Sequence, residues 1–414
     1  MIEPFRLGAR HAARLVERGE LSAHDWVRSC RERIAEREPS IRAWAFLPPE
    51  KDLSVNEAVR GPLFGAPVGV KDIFDTYDMP TEYGSRIYRG YRPRTDSAPV
   101  ALTRRAGGTI MGKTVTAEFA TFVPGPTCNP HDLSRTPGGS SSGSAAAVAD
   151  FMVPLAFGTQ TAGSLIRPAA YCGICGYKPT FNTIPRAGVK PGGDSLDTIG
   201  VYGRSVEDVA FFAAALTARK DLEAKLDRPA RIAMCRTYEW DLVQPEMRKA
   251  FEDARRALGA PELELPPAFK GLRESHTSIL WYEVGRSLAD EVARFPEQMD
   301  PALRQRCLGA FDVDAGDYGR AQQHAAACRA AFSQALGDYD VLLAPAATGE
   351  APPGLSSTGD VALNVVWTLL HTPAVAIPAA TSANRMPLGL QVIGRIGDDA
   401  RTLACAAQLA AKLS

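Results

Sequence analysis

The sequence predicts an α/β protein, and three features carry that reading. Short β-branched runs alternate with longer stretches of helical period, glycine- and proline-rich turns separate them, and 45% of the 414 residues are apolar, enough for a large core. The length suits two or three average domains or one large α/β unit. Basic and acidic residues number 47 each, so the formal charge is zero. That balance argues against a disordered chain, a nucleic-acid-binding surface and a polybasic membrane anchor. No run of about eighteen apolar residues occurs. Met1 to Arg14 carries acid and arginine where a secretory signal needs an unbroken apolar stretch, so a soluble cytoplasmic protein is expected.

Taken in order, Ser22 with Asp25 resembles a capping box, and Trp26, Cys30 and Ile34 recur at helical spacing, predicting an amphipathic helix over 22–37. Gly65 to Asp72 is a short β-branched run ending in Lys-Asp, which sets a lysine beside a core. Residues 96–106 read as helix and 108–112 as strand. Pro124 to Gly143 holds four each of glycine, proline and serine, the composition of a long loop. Alanine-rich Ser144 to Val148 suits a tightly packed helix, and Val153 to Gly158 suits a strand. After the turn-rich stretch 185–203, Ser205 and Asp208 repeat the capping-box pattern and open a helix to about Ala218. Residues 221–338 are mostly helical in period with one β-like run at Arg231 to Cys235, and a peripheral helical layer is expected at about 215–340. Val341 to Ala344, Ala374 to Ile377 and Leu388 to Ile393 read as strands, and Asp399 to Leu413 as a closing helix.

The chemistry concentrates in Gly138-Gly139-Ser140-Ser141-Ser142-Gly143 and, a little further on, Ala162-Gly163-Ser164. Glycine beside serine allows backbone with positive φ and lets N–H groups approach a substrate oxygen, which an oxyanion hole requires. A serine-rich surface linker has the same composition, but linkers do not run straight into an alanine-rich core helix. Ser141 sits in a nominal G-x-S-x-G elbow with Gly139 and Gly143, a match that abundant glycine and serine make weak. A nucleophilic serine also needs a base. None of the six histidines, His11, His24, His131, His276, His324 and His371, has a diagnostic neighbour. Lysine serves when burial lowers its pKa from about 10.4, and Lys71 after Val68-Gly69-Val70 meets that need. A strand-end lysine that snorkels or forms an ion pair would look the same. Cys172 and Cys175 form a C-x-x-C with no second pair and no spaced histidines, so packing of small buried thiols is expected rather than a metal or redox site.

Gly65 to Asp72, Gly138 to Ala149 and Gly158 to Thr180 together resemble the amidase signature family. The likeness extends to Gly112-Lys113-Thr114, Ser195 to Gly200 and Pro387 to Gln391. The resemblance implies a single α/β domain, residues 1–414, with a mixed central β-sheet flanked by helices. It implies an amidase with a Ser-cisSer-Lys triad: Ser164 as nucleophile, Ser140 as bridging serine, Lys71 as base, and an acyl-enzyme intermediate. The N–H groups of Thr161, Ala162, Gly163 and Ser164 would form the oxyanion hole. No metal and no organic cofactor is implied. A small-molecule amide is the expected partner, with no nucleic acid or membrane, and a homodimer is the expected assembly.

Around the nucleophile the chain departs from the family's commoner Asp-x-Gly-Gly-Ser-Ile-Arg. Gln160 replaces the acid, and the arginine falls at the third place after the serine, as Arg167. That variant is similar to malonamidases of the family, which implies that Arg167 grips a substrate carboxylate, as in malonamate. A purely structural arginine is the other reading of the same position. Rival functions are hydrolysis of urea-like or carbamate linkages and service as the A subunit of an aminoacyl-tRNA amidotransferase. A non-catalytic binding protein is disfavoured, because all three triad residues are present.

Overall fold

The computed structural model describes residues 3–53, 55 and 61–413. Among the described residues ten strands form one sheet: β1 Trp44–Phe46, β2 Pro67–Lys71, β3 Thr109–Thr114, β4 Leu155–Gln160, β5 Cys175–Lys178, β6 Thr198–Gly203, β7 Ile232–Met234, β8 Val341–Pro345, β9 Ala374–Thr381 and β10 Pro387–Ile393. Their spatial order is β1-β3-β2-β4-β6-β5-β9-β10-β8-β7. The sheet is mixed: β3, β2 and β4 run parallel, as do β7 and β8, and the remaining pairs are antiparallel. Every residue of β2 to β6 is buried. Buried on both faces, such strands read as continuous apolar runs rather than alternating ones.

Thirteen α-helices accompany the sheet among the described residues. They begin with α1 Ala9–Glu17, α2 Ala23–Ile41, α3 Ala98–Arg105, α4 Ser142–Ala149, α5 Ile166–Cys172 and α6 Val206–Thr217. Then come α7 Pro245–Leu258, α8 Leu272–Ser287, α9 Ala289–Arg294, α10 Pro301–Gly309 and α11 Ala315–Leu336, followed by α12 Ala362–Leu369 and α13 Asp399–Leu413. Both capping patterns form: Ser22 Oγ accepts the Asp25 N–H at 3.0 Å and Ser205 Oγ the Asp208 N–H at 3.1 Å. Trp26, Cys30 and Ile34 bury one face of α2, which runs past the expected residue 37 and through Pro39 before Arg42 ends it in the left-handed region.

Other boundaries differ for local reasons. The strand expected from Val153 starts two residues later, after Pro154, which has no N–H to give the ladder. β6 lies inside the stretch read as turns, because Thr198-Ile199-Gly200-Val201-Tyr202-Gly203 carries two glycines. β1 and β5 were also not legible, and β5 holds Cys175 of the C-x-x-C. Both cysteines are buried and unpaired, and Cys172 Sγ lies 3.5 Å from the carbonyl of Pro137. No helix among the described residues is long and apolar enough to cross a membrane.

Candidate active site

Lys71 ends β2, and Thr159 lies near the end of its parallel neighbour β4, in register through Val68 with Leu155 and Gly69 with Ala156. Their side chains meet at the carboxyl edge of the parallel strands, the usual place for a site in an α/β sheet. Lys71 Nζ lies 2.8 Å from Ser140 Oγ and 2.7 Å from Thr159 Oγ1. Lys71 and Ser140 are fully buried. Burial pulls the lysine down from its ordinary 10.5 to about 7, against an opposing pull from Asp197. A contact of 2.8 Å lets a proton pass between lysine and serine in either direction.

Ser140 follows Gly139 through a cis peptide bond, the geometry the resemblance implies, and Gly138 adopts φ +83°, where glycine is favoured. Ser141, the nominal elbow serine, is occupied structurally, because its Oγ accepts the Thr159 N–H at 3.2 Å. The loop after β4 carries Thr161, Ala162, Gly163 and Ser164, whose N–H groups donate to no acceptor among the described residues. Ser164 backs onto the same loop as Ser140, and its carbonyl accepts the Ser141 N–H at 3.4 Å. Gly163 has no room for a side chain: a Cβ there would stand 2.6 Å from Asn364 Oδ1.

The acid-to-glutamine change has a local explanation. Gln160 Oε1 accepts the N–H groups of Leu165 and Ile166, at 3.1 and 2.9 Å, capping the first turn of α5 as a carboxylate would. Its amide also donates to Thr368 Oγ1 at 2.9 Å, which a carboxylate could not do. Arg167, near the start of α5, is 1% exposed. Its Nη2 donates to the Gly139 carbonyl at 2.6 Å and to Thr358 Oγ1 at 3.1 Å, whereas Nε and Nη1 have no partner among the described residues. Burial lowers the guanidinium pKa, opposed by Tyr171 and Asp360. Arg167 therefore braces the peptide carbonyl before Ser140 and keeps spare donors.

Ser164, Thr161, Ala162 and Arg167 line one cavity of about 480 Å³. One wall was not legible in the sequence. Arg273, His276, Thr277, Leu280, Trp281 and Val284 recur at three- and four-residue intervals, so a single face of α8 looks into the cavity. Phe122, 38% exposed, packs edge to face on Trp281 with ring centres 5.9 Å apart. Asp360, on the loop before α12, adds a carboxylate to the lining. His276 is the one histidine on the cavity among the described residues, and its Nε2 donates to the Thr161 carbonyl rather than to a serine. Among the described residues no group of three or more histidine, cysteine, aspartate or glutamate side chains could hold a metal ion.

The amidase family profile matches residues 25–403. The chain belongs to the amidase family. This amidase is 31% identical to the A subunit of the glutamyl-tRNA(Gln) amidotransferase of Acidothermus cellulolyticus, over 99% of its own length and 95% of that protein's. It matches a solved amidase with a TM-score of 0.90 and 30% identity, covering 99% of this chain and 100% of that one. The solved amidotransferase A subunit from Thermotoga maritima follows at a TM-score of 0.81 and 26% identity, covering 98% and 94%. The amidase is an amide-hydrolysing enzyme on the amidase signature fold. These relatives bear the amidotransferase or plain amidase name rather than that of a malonamidase.

Proposed function

We propose that this amidase cleaves a carboxylate-bearing primary amide to acid and ammonia through an acyl-enzyme on Ser164. The observation that carries the reading is a buried Lys71, held to about 7, in contact with Ser140 Oγ beside the Ser164 loop. Neutral Lys71 draws the Ser140 proton as Ser140 draws that of Ser164, and Ser164 Oγ adds to the amide carbon. The N–H groups of Thr161, Ala162, Gly163 and Ser164 receive the charge that develops on oxygen. The relay then returns a proton to the leaving nitrogen, ammonia departs, and water enters by the same route to release the acid.

Arg167, which lines the cavity and has two buried guanidinium nitrogens without a partner among the described residues, is the residue for the substrate carboxylate. Malonamate alone would leave most of a 480 Å³ cavity to water, a volume in the usual range for drug-sized ligands. Asp360 stands near enough to act on the Arg167 charge and offers a place for an ammonium group. A larger amide bearing both charges, such as glutamine, uses both residues. The names of the relatives favour the same choice and supply the second reading, in which the released ammonia passes to a partner protein for transfer to an aminoacyl-tRNA. The matched span with the Acidothermus protein is 481 residues against the 414 of this chain, so segments of that protein have no counterpart here.

The test is ammonia release by the purified chain from glutamine, malonamate, a neutral amide of similar size and a carboxylated urea, with Ser164→Ala as the blank. Turnover of glutamine that rises when a copurifying partner is added supports the amidotransferase reading. Turnover of malonamate by the chain alone supports a free-standing small-acid amidase. Preference for the urea transfers the chemistry to carbamoyl linkages, and preference for the neutral amide removes Arg167 from substrate binding.

A further inference from the structure

In a trans peptide the carbonyl of one residue and the N–H of the next lie in one plane and point in opposite directions. Whatever holds the Thr161 carbonyl therefore aims the N–H of Ala162, and whatever holds the Ala162 carbonyl aims that of Gly163. Both carbonyls are held by side chains from distant parts of the chain. His276 Nε2, on α8, donates to the Thr161 carbonyl at 2.9 Å. Thr368 Oγ1, on α12, lies 2.7 Å from the Ala162 carbonyl and 3.2 Å from that of Asn364, and donates to the nearer, while Gln160 donates to that hydroxyl.

Each tie is buried, His276 being 2% exposed and Thr368 fully enclosed. Burial pulls the His276 pKa down to about 4, so the ring is neutral at working pH and carries its proton on the nitrogen that faces the carbonyl. A second anchor fixes the Thr161 side chain, whose Oγ1 donates to Asp197 Oδ1 at 2.5 Å. Without its tie, either peptide plane could turn over and present a carbonyl where a donor is needed. The Ala162–Gly163 peptide is the more prone, because glycine accepts the positive φ that such a turn produces.

We infer that His276 and Thr368 are positioning residues that lock two of the oxyanion N–H groups by holding the carbonyl in front of each. The inference rests on the proposed role of the Thr161–Ser164 loop. Neither residue touches the substrate oxygen. Their effect belongs to the tetrahedral state, not to substrate binding, and this separates them from residues that merely shape the cavity. It also makes α8 part of the catalytic apparatus: the seating of that helix against α11 and α12 sets the direction of a donor on β4's loop.

The experiment compares wild type with His276→Ala, His276→Gln, Thr368→Val, Thr368→Ser and Ser164→Ala, each verified as folded by circular dichroism and urea unfolding. Two probes are used: the second-order rate of labelling by an alkyl fluorophosphonate, and affinity for phenylboronic acid against affinity for benzoate. The boronic acid forms a tetrahedral adduct on a serine; benzoate forms none. Losing one aligned donor lowers the labelling rate about 100- to 1000-fold, the scale for an oxyanion-hole donor. His276→Ala and Thr368→Val should show that loss and a parallel loss for the boronic acid, with benzoate affinity changing little. Gln at 276 places an amide N–H near the lost Nε2, and Ser at 368 keeps the hydroxyl, so both should recover most of the rate. Thr368→Val is nearly isosteric and keeps the test sound if His276→Ala fails to fold. Unchanged labelling and boronic acid affinity in folded His276→Ala and Thr368→Val, with Ser164→Ala inert, overturns the inference and leaves the site assignment standing. Full labelling of Ser164→Ala overturns both.

Discussion

Lys71 makes the same ionisation visible twice, once in activity and once in stability. Its ordinary pKa is 10.5 and burial holds it near 7 in the folded chain. Between those values the unfolded state keeps a proton that the folded state has lost, so stability rises with pH throughout the window. From pH 7 to pH 9 the calculated gain is about 2 kcal/mol for this one group. Lys71→Met removes the titration while filling the space. The Ser140 and Thr159 hydroxyls that lose Nζ cost the variant a fixed amount, and that amount cancels between one pH and another. Lys178, buried and likewise held near 7, titrates in both proteins and cancels as well. Urea unfolding of the two proteins at pH 7, 8 and 9 should show wild type gaining about 2 kcal/mol relative to the variant across that range. In the same range kcat/KM of wild type should climb with a midpoint near pH 7 and flatten above it, because in the proposed relay only neutral Lys71 takes the Ser140 proton. A stability gap that stays constant across that range, or an activity midpoint near the ordinary lysine value, would refute a neutral buried lysine as the base.

Three further outcomes are expected. Ser164→Ala should lose covalent labelling by a fluorophosphonate and keep its circular dichroism spectrum; labelling at the wild-type rate would place the nucleophile elsewhere. Gly163→Ala should lose about 1–3 kcal/mol of stability in urea unfolding, because the new methyl meets Asn364 Oδ1 at 2.6 Å, and Asn364→Ala in the same chain should return most of it. Arg167→Ala should lower kcat/KM on every amide, since the Gly139 carbonyl loses its brace, and lower it a further 30-fold or so on a carboxylated amide, about 2 kcal/mol. Equal losses on a matched carboxylated and neutral pair, measured side by side, would reduce Arg167 to the bracing role.

The parts of this fold that were legible in the sequence are those whose signal is local. Ser22 and Ser205 cap their helices through a residue three places on, and that spacing is written in the chain. Lys71 could be singled out because Val68, Gly69 and Val70 precede it, although the segment alone suits a snorkelling or ion-paired strand-end lysine equally and only the glycine-flanked serines gave it a role. The glycine-flanked serines mark a backbone that must come close to something. β5 and β6 stayed hidden for the opposite reason. Their glycines read as turns, and the signal that makes them strands is the pairing of each with the other and with β4 and β9, which no local pattern contains.

The cavity wall on α8 makes the harder case. Its residues recur at helical spacing, but periodicity reports only that one face is covered, and a face over a cavity looks the same as a face over a core. Arg273 and His276 among Leu280, Trp281 and Val284 are the one trace of the difference, since a core-facing stripe does not ordinarily carry a cation and an imidazole. Thr159 is harder still, a strand residue whose hydroxyl matters only because β2 lies beside β4 and brings Nζ within 2.7 Å. The Ser164 loop thus announces itself through its own glycines, whereas the groups proposed to tune it, Thr159, His276 and Thr368, are ordinary residues made specific by where the sheet and two helices put them. Substituting them is therefore the way to learn how much of the chemistry lies in the signature and how much in its setting.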